Sequence, residues 1–145
     1  MLIVEDDYDM SFLARRGVLQ ELPSAVIVTV PSAEEALEHL QADQFDLVLT
    51  DLKLVGAMNG LDLIAALRRQ AGSPPILMLT SSDEVRDRAI QCGVDDFLST
   101  GDLMQLGPRA KQLLFKRCHR TSSIRGDAPP TSGGHSLHYL AGLYH

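Results

Sequence analysis

The chain alternates between short apolar runs and longer segments with a helical hydrophobic period. Short apolar runs stand at residues 1–4 (MLIV), 24–30 (SAVIVTV), 45–50 (FDLVLT), 74–80 (PPILMLT) and 95–100 (DDFLST). Between them lie longer segments whose apolar residues recur every three or four positions, as on one face of a helix. The later runs are nearly continuous in apolar character rather than alternating. That pattern suits strands buried on both faces, hence a parallel sheet with helices on either side. Strand and helix in strict alternation predict an α/β, doubly wound, five-stranded parallel sheet in the order 2-1-3-4-5.

The helical segments carry their own signals. In DMSFLARRGVLQEL (9–22), Met10, Leu13, Leu19 and Leu22 are the expected inner face. Ser32 opens the second helix with Glu35 three residues on, a capping-box pattern. GLDLIAALRRQ (60–70) points Leu61, Ile64 and Leu67 inward and Arg68 and Arg69 outward. Gly93 closes the fourth helix, and Gly107-Pro108 marks either the true start of the fifth or a kink in it.

Composition changes near residue 119. Every acidic residue except Asp127 lies before it, while His119, His135, His138 and His145 lie after it. The intervening TSSIRGDAPPTSGG has the make-up of a flexible linker. Two parts are therefore expected: a folded domain over 1–118 and a linker or tail over 119–145. His135 and His138 are spaced to share a metal, and the competing reading is a loose or lightly docked tail. Cys92 and Cys118 lack metal-site spacing and read as free thiols of a reducing cytosol. The net charge of −6 excludes a general nucleic-acid binder. No apolar run reaches the ~20 residues of a membrane span, and no secretory signal is expected. A cytoplasmic location follows.

One stretch resists a purely structural account. Directly after the first apolar run come Glu5, Asp6 and Asp7. Like charges in contact repel by roughly 1 kcal/mol in water and more near a protein surface. Either these side chains cap the first helix, whose N-terminus favours negative charge, or a cation sits among them. Asp7 is expected to be the cap. Glu5 and Asp6 leave strand 1, and Asp51 leaves strand 3, its neighbour in the expected order. The three carboxylates then meet in one crevice, which is the oxygen-rich setting that Mg²⁺ takes.

The combination of VEDD after strand 1, DLVLTDLKL at strand 3, ILMLTSS at strand 4 and GVDDFLS at strand 5 resembles the receiver domain of two-component response regulators. The resemblance covers residues 1 to about 118 and implies a role for each matching position. Glu5 and Asp6 match the acidic pair for Mg²⁺, and Asp51 the aspartate that accepts a phosphoryl group from a sensor histidine kinase or phosphotransfer protein. The backbone carbonyl of Lys53 matches the third protein ligand, Thr80 the hydroxyl that binds the phosphoryl group, and Phe97 the aromatic switch. The surface of helix 4, strand 5 and helix 5 would face the partner, which is an output domain, a partner protein or a second copy in a homodimer. Too little chain follows residue 118 for a helix-turn-helix domain, so direct contact with nucleic acid is not expected.

The chain departs from the family at two places. Thr100 stands where a lysine usually follows strand 5, with Gly101 in the usual proline position. Without that cation the carboxylates are expected to hold their protons more tightly, through mutual repulsion. Val55 replaces a second usual proline, in a loop one residue longer than common. Two functions stay open: a phosphoacceptor that switches conformation, or a pseudo-receiver that signals by binding alone. A flavodoxin-type flavin binder is disfavoured because EDDYD would repel a phosphate. A haloacid dehalogenase-type phosphatase is disfavoured because Lys53 stands where its second aspartate should be.

Overall fold

The computed structural model describes residues 1–124, and their side chains through residue 116. The readings of His119, His135, His138, His145 and the Cys118 thiol lie outside the described side chains. Elements follow in the order β1 (Leu2–Val4), α1 (Tyr8–Glu21), β2 (Val28–Val30), α2 (Ala33–Ala42), β3 (Val48–Asp51), α3 (Gly60–Arg68), β4 (Ile76–Thr80), α4 (Arg86–Cys92), β5 (Asp96–Ser99) and α5 (Leu106–Ile124). Short 3₁₀ turns at Asp83–Val85 and Thr100–Gln105 precede α4 and α5. The sheet has five parallel strands, as the apolar pattern predicts, in the order β2-β1-β3-β4-β5 expected of a common doubly wound fold.

Strand side chains alternate between two apolar layers. Ile3, Leu49, Leu77, Leu79 and Leu98 point to one side and meet α1 and α5 through Val18, Leu22, Leu106 and Ala110. Leu2, Val4, Val48, Ile76 and Met78 point to the other, against Ala33 and Ala36 of α2, Ile64 and Leu67 of α3, and Ala89 of α4. Both faces of the central strands are dry, which is why their sequences do not alternate.

Several sequence expectations need correction. The inner face of α1 is Ala14, Val18 and Leu22, while Leu13 is exposed. The helix turns its small residues to α5 because the two pack closely: a Cβ on Gly107 would lie 2.6 Å from the Gly17 carbonyl oxygen. Arg68 does not point outward. Its guanidinium donates to the Gly93 carbonyl at 2.7 Å and the Pro74 carbonyl at 3.0 Å, and pairs with Asp95, so it ties the entry of β4 to the turn before β5. β2 is confined to Val28–Val30, where it meets the short β1. Ser32 caps α2 by accepting from the Glu35 N–H at 3.2 Å. The reciprocal capping box stands instead at α3, between Asn59 and Asp62. Gly93 closes α4 at φ 102°, and α5 starts at Leu106, beside the Gly107-Pro108 pair. The same helix continues past Cys118 to Ile124.

Candidate phosphoacceptor and metal site

Register brings the carboxylates together. Val4 lies opposite Thr50 across the parallel β1–β3 pair, so the next residues, Glu5 and Asp51, emerge side by side at the C-terminal edge. The Glu5 N–H still bonds the Val30 carbonyl at 3.0 Å, which extends the sheet ladder to the site itself. Asp7 then turns the chain into α1 and accepts from the Met10 N–H at 3.1 Å, so its role as helix cap holds. Carboxylate oxygens of Glu5, Asp6 and Asp51 all lie within 4.8 Å of one another.

The three groups differ in environment. Glu5 is only 7% exposed, Asp51 is half-buried and Asp6 is open to solvent. The Asp7 N–H donates to Glu5 Oε1 at 3.0 Å, and the Leu52 N–H to Asp51 Oδ1 at 2.7 Å. These bonds fix both side chains. Burial, opposed in part by the Asp7 N–H and reinforced by Asp51, pushes the Glu5 carboxyl up to about 8. Burial likewise raises Asp51, against the Leu52 N–H and the Lys53 charge. The direction is the one expected from repulsion among the carboxylates, but desolvation is the larger cause. A buried carboxyl beside two others, all oxygen donors and no described ammonium in hydrogen-bond contact, fits a small hard divalent cation.

The fold also fixes how closely the next element approaches. Gly60 opens α3 against the end of β3, with its N–H bonded to the Leu52 carbonyl at 2.8 Å. A Cβ there would lie 2.2 Å from the Asp51 carbonyl oxygen. Sequence reasoning missed this residue, although a glycine at the first position of a helix was a signal in plain view.

Thr80 lies farther along the same edge, and Phe97 lies in β5 two residues before that strand reaches it. Thr80 ends β4, is 4% exposed, and accepts from the Ser82 N–H at 3.2 Å. Phe97 pairs with Met78 in register and packs against the α2–α3–α4 layer. The Arg86 guanidinium sits 6.0 Å from the centre of its ring, at the outer limit of a cation–π contact. Thr100 follows β5, half-buried, at the start of a 3₁₀ turn. Lys53 is exposed on the loop after Asp51. Beside Phe97, the Arg109 guanidinium bonds Asp96 at 3.0 Å and ties α5 to β5.

Comparison with known proteins agrees with this geometry. The family model of the response regulator receiver domain matches residues 1–101. The chain is 39% identical over 102 residues to the two-component response regulator PhoP of Pseudomonas aeruginosa, covering 68% of this chain and 43% of that protein. It is 34% identical over 131 residues to the transcriptional regulatory protein TcrA of Mycobacterium tuberculosis, covering 89% and 47%. The chain thus spans about half the length of these curated relatives. Among solved structures, the signal receiver domain of a histidine kinase from Syntrophus aciditrophicus superposes with a TM-score of 0.71 at 26% identity, over 79% of this chain and 89% of that one. The receiver domain of an HD domain-containing protein from Pseudomonas fluorescens shares the fold, with a TM-score of 0.74 at 24% identity over 83% and 90%. A five-stranded parallel sheet in the order 2-1-3-4-5 with three carboxylates at its C-terminal edge is the arrangement on which this match falls. The chain belongs to the response regulator receiver domain family of two-component systems.

Proposed function

We propose that Asp51 accepts a phosphoryl group from a histidine kinase or phosphotransfer protein, and that the covalent change alters the surface around α4 and β5. The observation that carries this reading is the convergence of Glu5, Asp6 and Asp51 within 4.8 Å at one sheet edge. Glu5, Asp6, Asp51 and the main-chain carbonyl of Lys53 would hold Mg²⁺. When bound, the ion neutralises charge on the transferring group. A carboxylate oxygen of Asp51 forms the new P–O bond as the bond from phosphorus to the donor nitrogen breaks. The Leu52 N–H fixes the orientation of the attacking carboxylate.

The readout follows from hydrogen bonds already present. Thr80 Oγ1 accepts from Ser82 and retains its own proton to donate. A shift toward phosphorylated Asp51 strains the Ser82 N–H bond. Ser82 leads into the 3₁₀ turn and α4, where Arg86 covers Phe97. A charge placed on Asp51 is thereby read by the packing of Phe97. The partner face is the surface of α4, β5 and α5, for an output domain, a partner protein or a second copy.

Thr100 supplies a hydroxyl but no charge, so coupling is weaker than a lysine there would give. With Mg²⁺ and beryllofluoride, a mimic of the acyl phosphate, the amide NMR signals of Thr80, Ser82 and Phe97 should shift in the wild type and not in Asp51→Asn. Thr100→Lys should enlarge the shift at Phe97. A wild type whose signals stay still would overturn the switch and leave a module that signals by binding alone.

A further inference from the structure

The loop between β3 and α3 leaves directly from Asp51, and one side chain from another element reaches into it. Glu34, in the first turn of α2, accepts through Oε1 from the N–H groups of both Ala57 and Met58, each at 3.1 Å. Gly56, just before them, has φ 98°, a conformation that favours glycine. A Cβ on Gly56 would lie 2.8 Å from Glu34 Oε2. The turn is thus shaped to bring two successive N–H groups onto one carboxylate, in the manner of an anion-binding nest. Beside it, Val55 bridges to Ser32, the residue that caps α2.

The second oxygen of Glu34 shows that this contact is more than a helix-end charge. Among the described residues, Glu34 Oε2 is the buried side-chain atom without a hydrogen-bond partner. Its neighbour Glu35 is exposed and meets the favourable field at the N-terminus of α2 with no such burden. An oxygen held dry and unpartnered is costly. The fold accepts that cost where the other oxygen organises the loop that runs back to Asp51. The loop's ends are closed by the Gly60 N–H on the Leu52 carbonyl, and Lys53 to Met58 lie within that closure.

We propose that Glu34 is a positioning residue: by clasping the Ala57 and Met58 amides, it holds the β3–α3 loop in the form that presents the Lys53 carbonyl to a cation shared with Asp51. This rests on the reading of Glu5, Asp6 and Asp51 as a Mg²⁺ site. Residues that orient metal ligands without touching the metal commonly change affinity by about 10–100-fold when removed.

The test compares wild type, Glu34→Ala and Glu34→Gln in Mg²⁺ titrations followed by NMR, with amide hydrogen exchange and melting measured without metal. Glu34→Ala should speed exchange at Ala57 and Met58 and weaken Mg²⁺ binding by about tenfold. Glu34→Gln should restore both, because its amide oxygen accepts the same two bonds and its nitrogen replaces the oxygen without a donor. If Glu34→Ala does not fold, Glu34→Asp, shorter by one methylene, makes the same comparison. A variant that melts earlier yet binds Mg²⁺ as wild type does would reduce Glu34 to a structural role and overturn the proposal. Unchanged exchange at Ala57 and Met58 would overturn the clasp itself. A wild type that binds no Mg²⁺ would bring down the underlying site reading and this proposal with it, while the exchange data would still report whether the clasp exists.

Discussion

Glu5 is held in a pocket that disfavours its charge. Its carboxyl is pushed up to about 8 by burial, against roughly 4.3 for an unfolded glutamate. Between those values the folded state keeps a proton that the unfolded chain has released. Its contribution to stability is therefore full below about pH 4 and is lost as pH rises through about 8. Asp51, also raised, acts in the same direction. Urea unfolding in the presence of a chelator should show wild type losing stability relative to Glu5→Gln between pH 5 and 8. Saturating Mg²⁺ should flatten that difference, since a cation favours the ionised form. A wild type that gains stability relative to Glu5→Gln over this range would contradict the placement of Glu5. The acidic run was legible in the sequence because three like charges after a buried strand demand an explanation. Which of them is buried was not, because exposure depends on how α1 leaves the sheet.

Elements show where pattern reading stops. The strands were legible because β-branched and apolar runs bounded by Pro, Gly or polar residues have few alternatives. The faces of α1 were not. Spacing put Leu13 inside, yet close packing at Gly17 and Gly107 selects Ala14 and Val18 instead. Arg68 was read as outward because of its charge, and only the assembled fold brings two carbonyls and Asp95 within its reach. Close approach also governs the start of α3. Gly60→Ala sets a methyl group 2.2 Å from the Asp51 carbonyl oxygen and 3.0 Å from Met78 Cε. Overpacking of this kind costs about 1–3 kcal/mol. We expect Gly60→Ala to lower the urea midpoint by a corresponding amount and to weaken Mg²⁺ binding, because relief requires the end of β3 or the start of α3 to move. Unchanged midpoint and affinity would show that the junction yields freely.

At the scale of the molecule, chemistry gathers at one sheet edge because parallel strands end together. β1, β3, β4 and β5 deliver Glu5, Asp51, Thr80 and Thr100 to that edge; the alternation of strand and helix made the parallel sheet readable, and its order was taken from the common doubly wound arrangement. Among the described residues no helix is long and apolar enough to cross a membrane. Hidden from sequence reading were the long-range ties, such as the Glu34 clasp and the Arg68–Asp95 pair, which link residues far apart in the chain. The central claim is that the edge is a phosphoacceptor, and intact mass spectrometry after incubation with acetyl phosphate tests it most directly. The wild type should gain the mass of one phosphoryl group with Mg²⁺ and none with a chelator, and Asp51→Asn should gain none under either condition. No gain in the wild type with Mg²⁺, or a gain that persists in Asp51→Asn, would contradict the account.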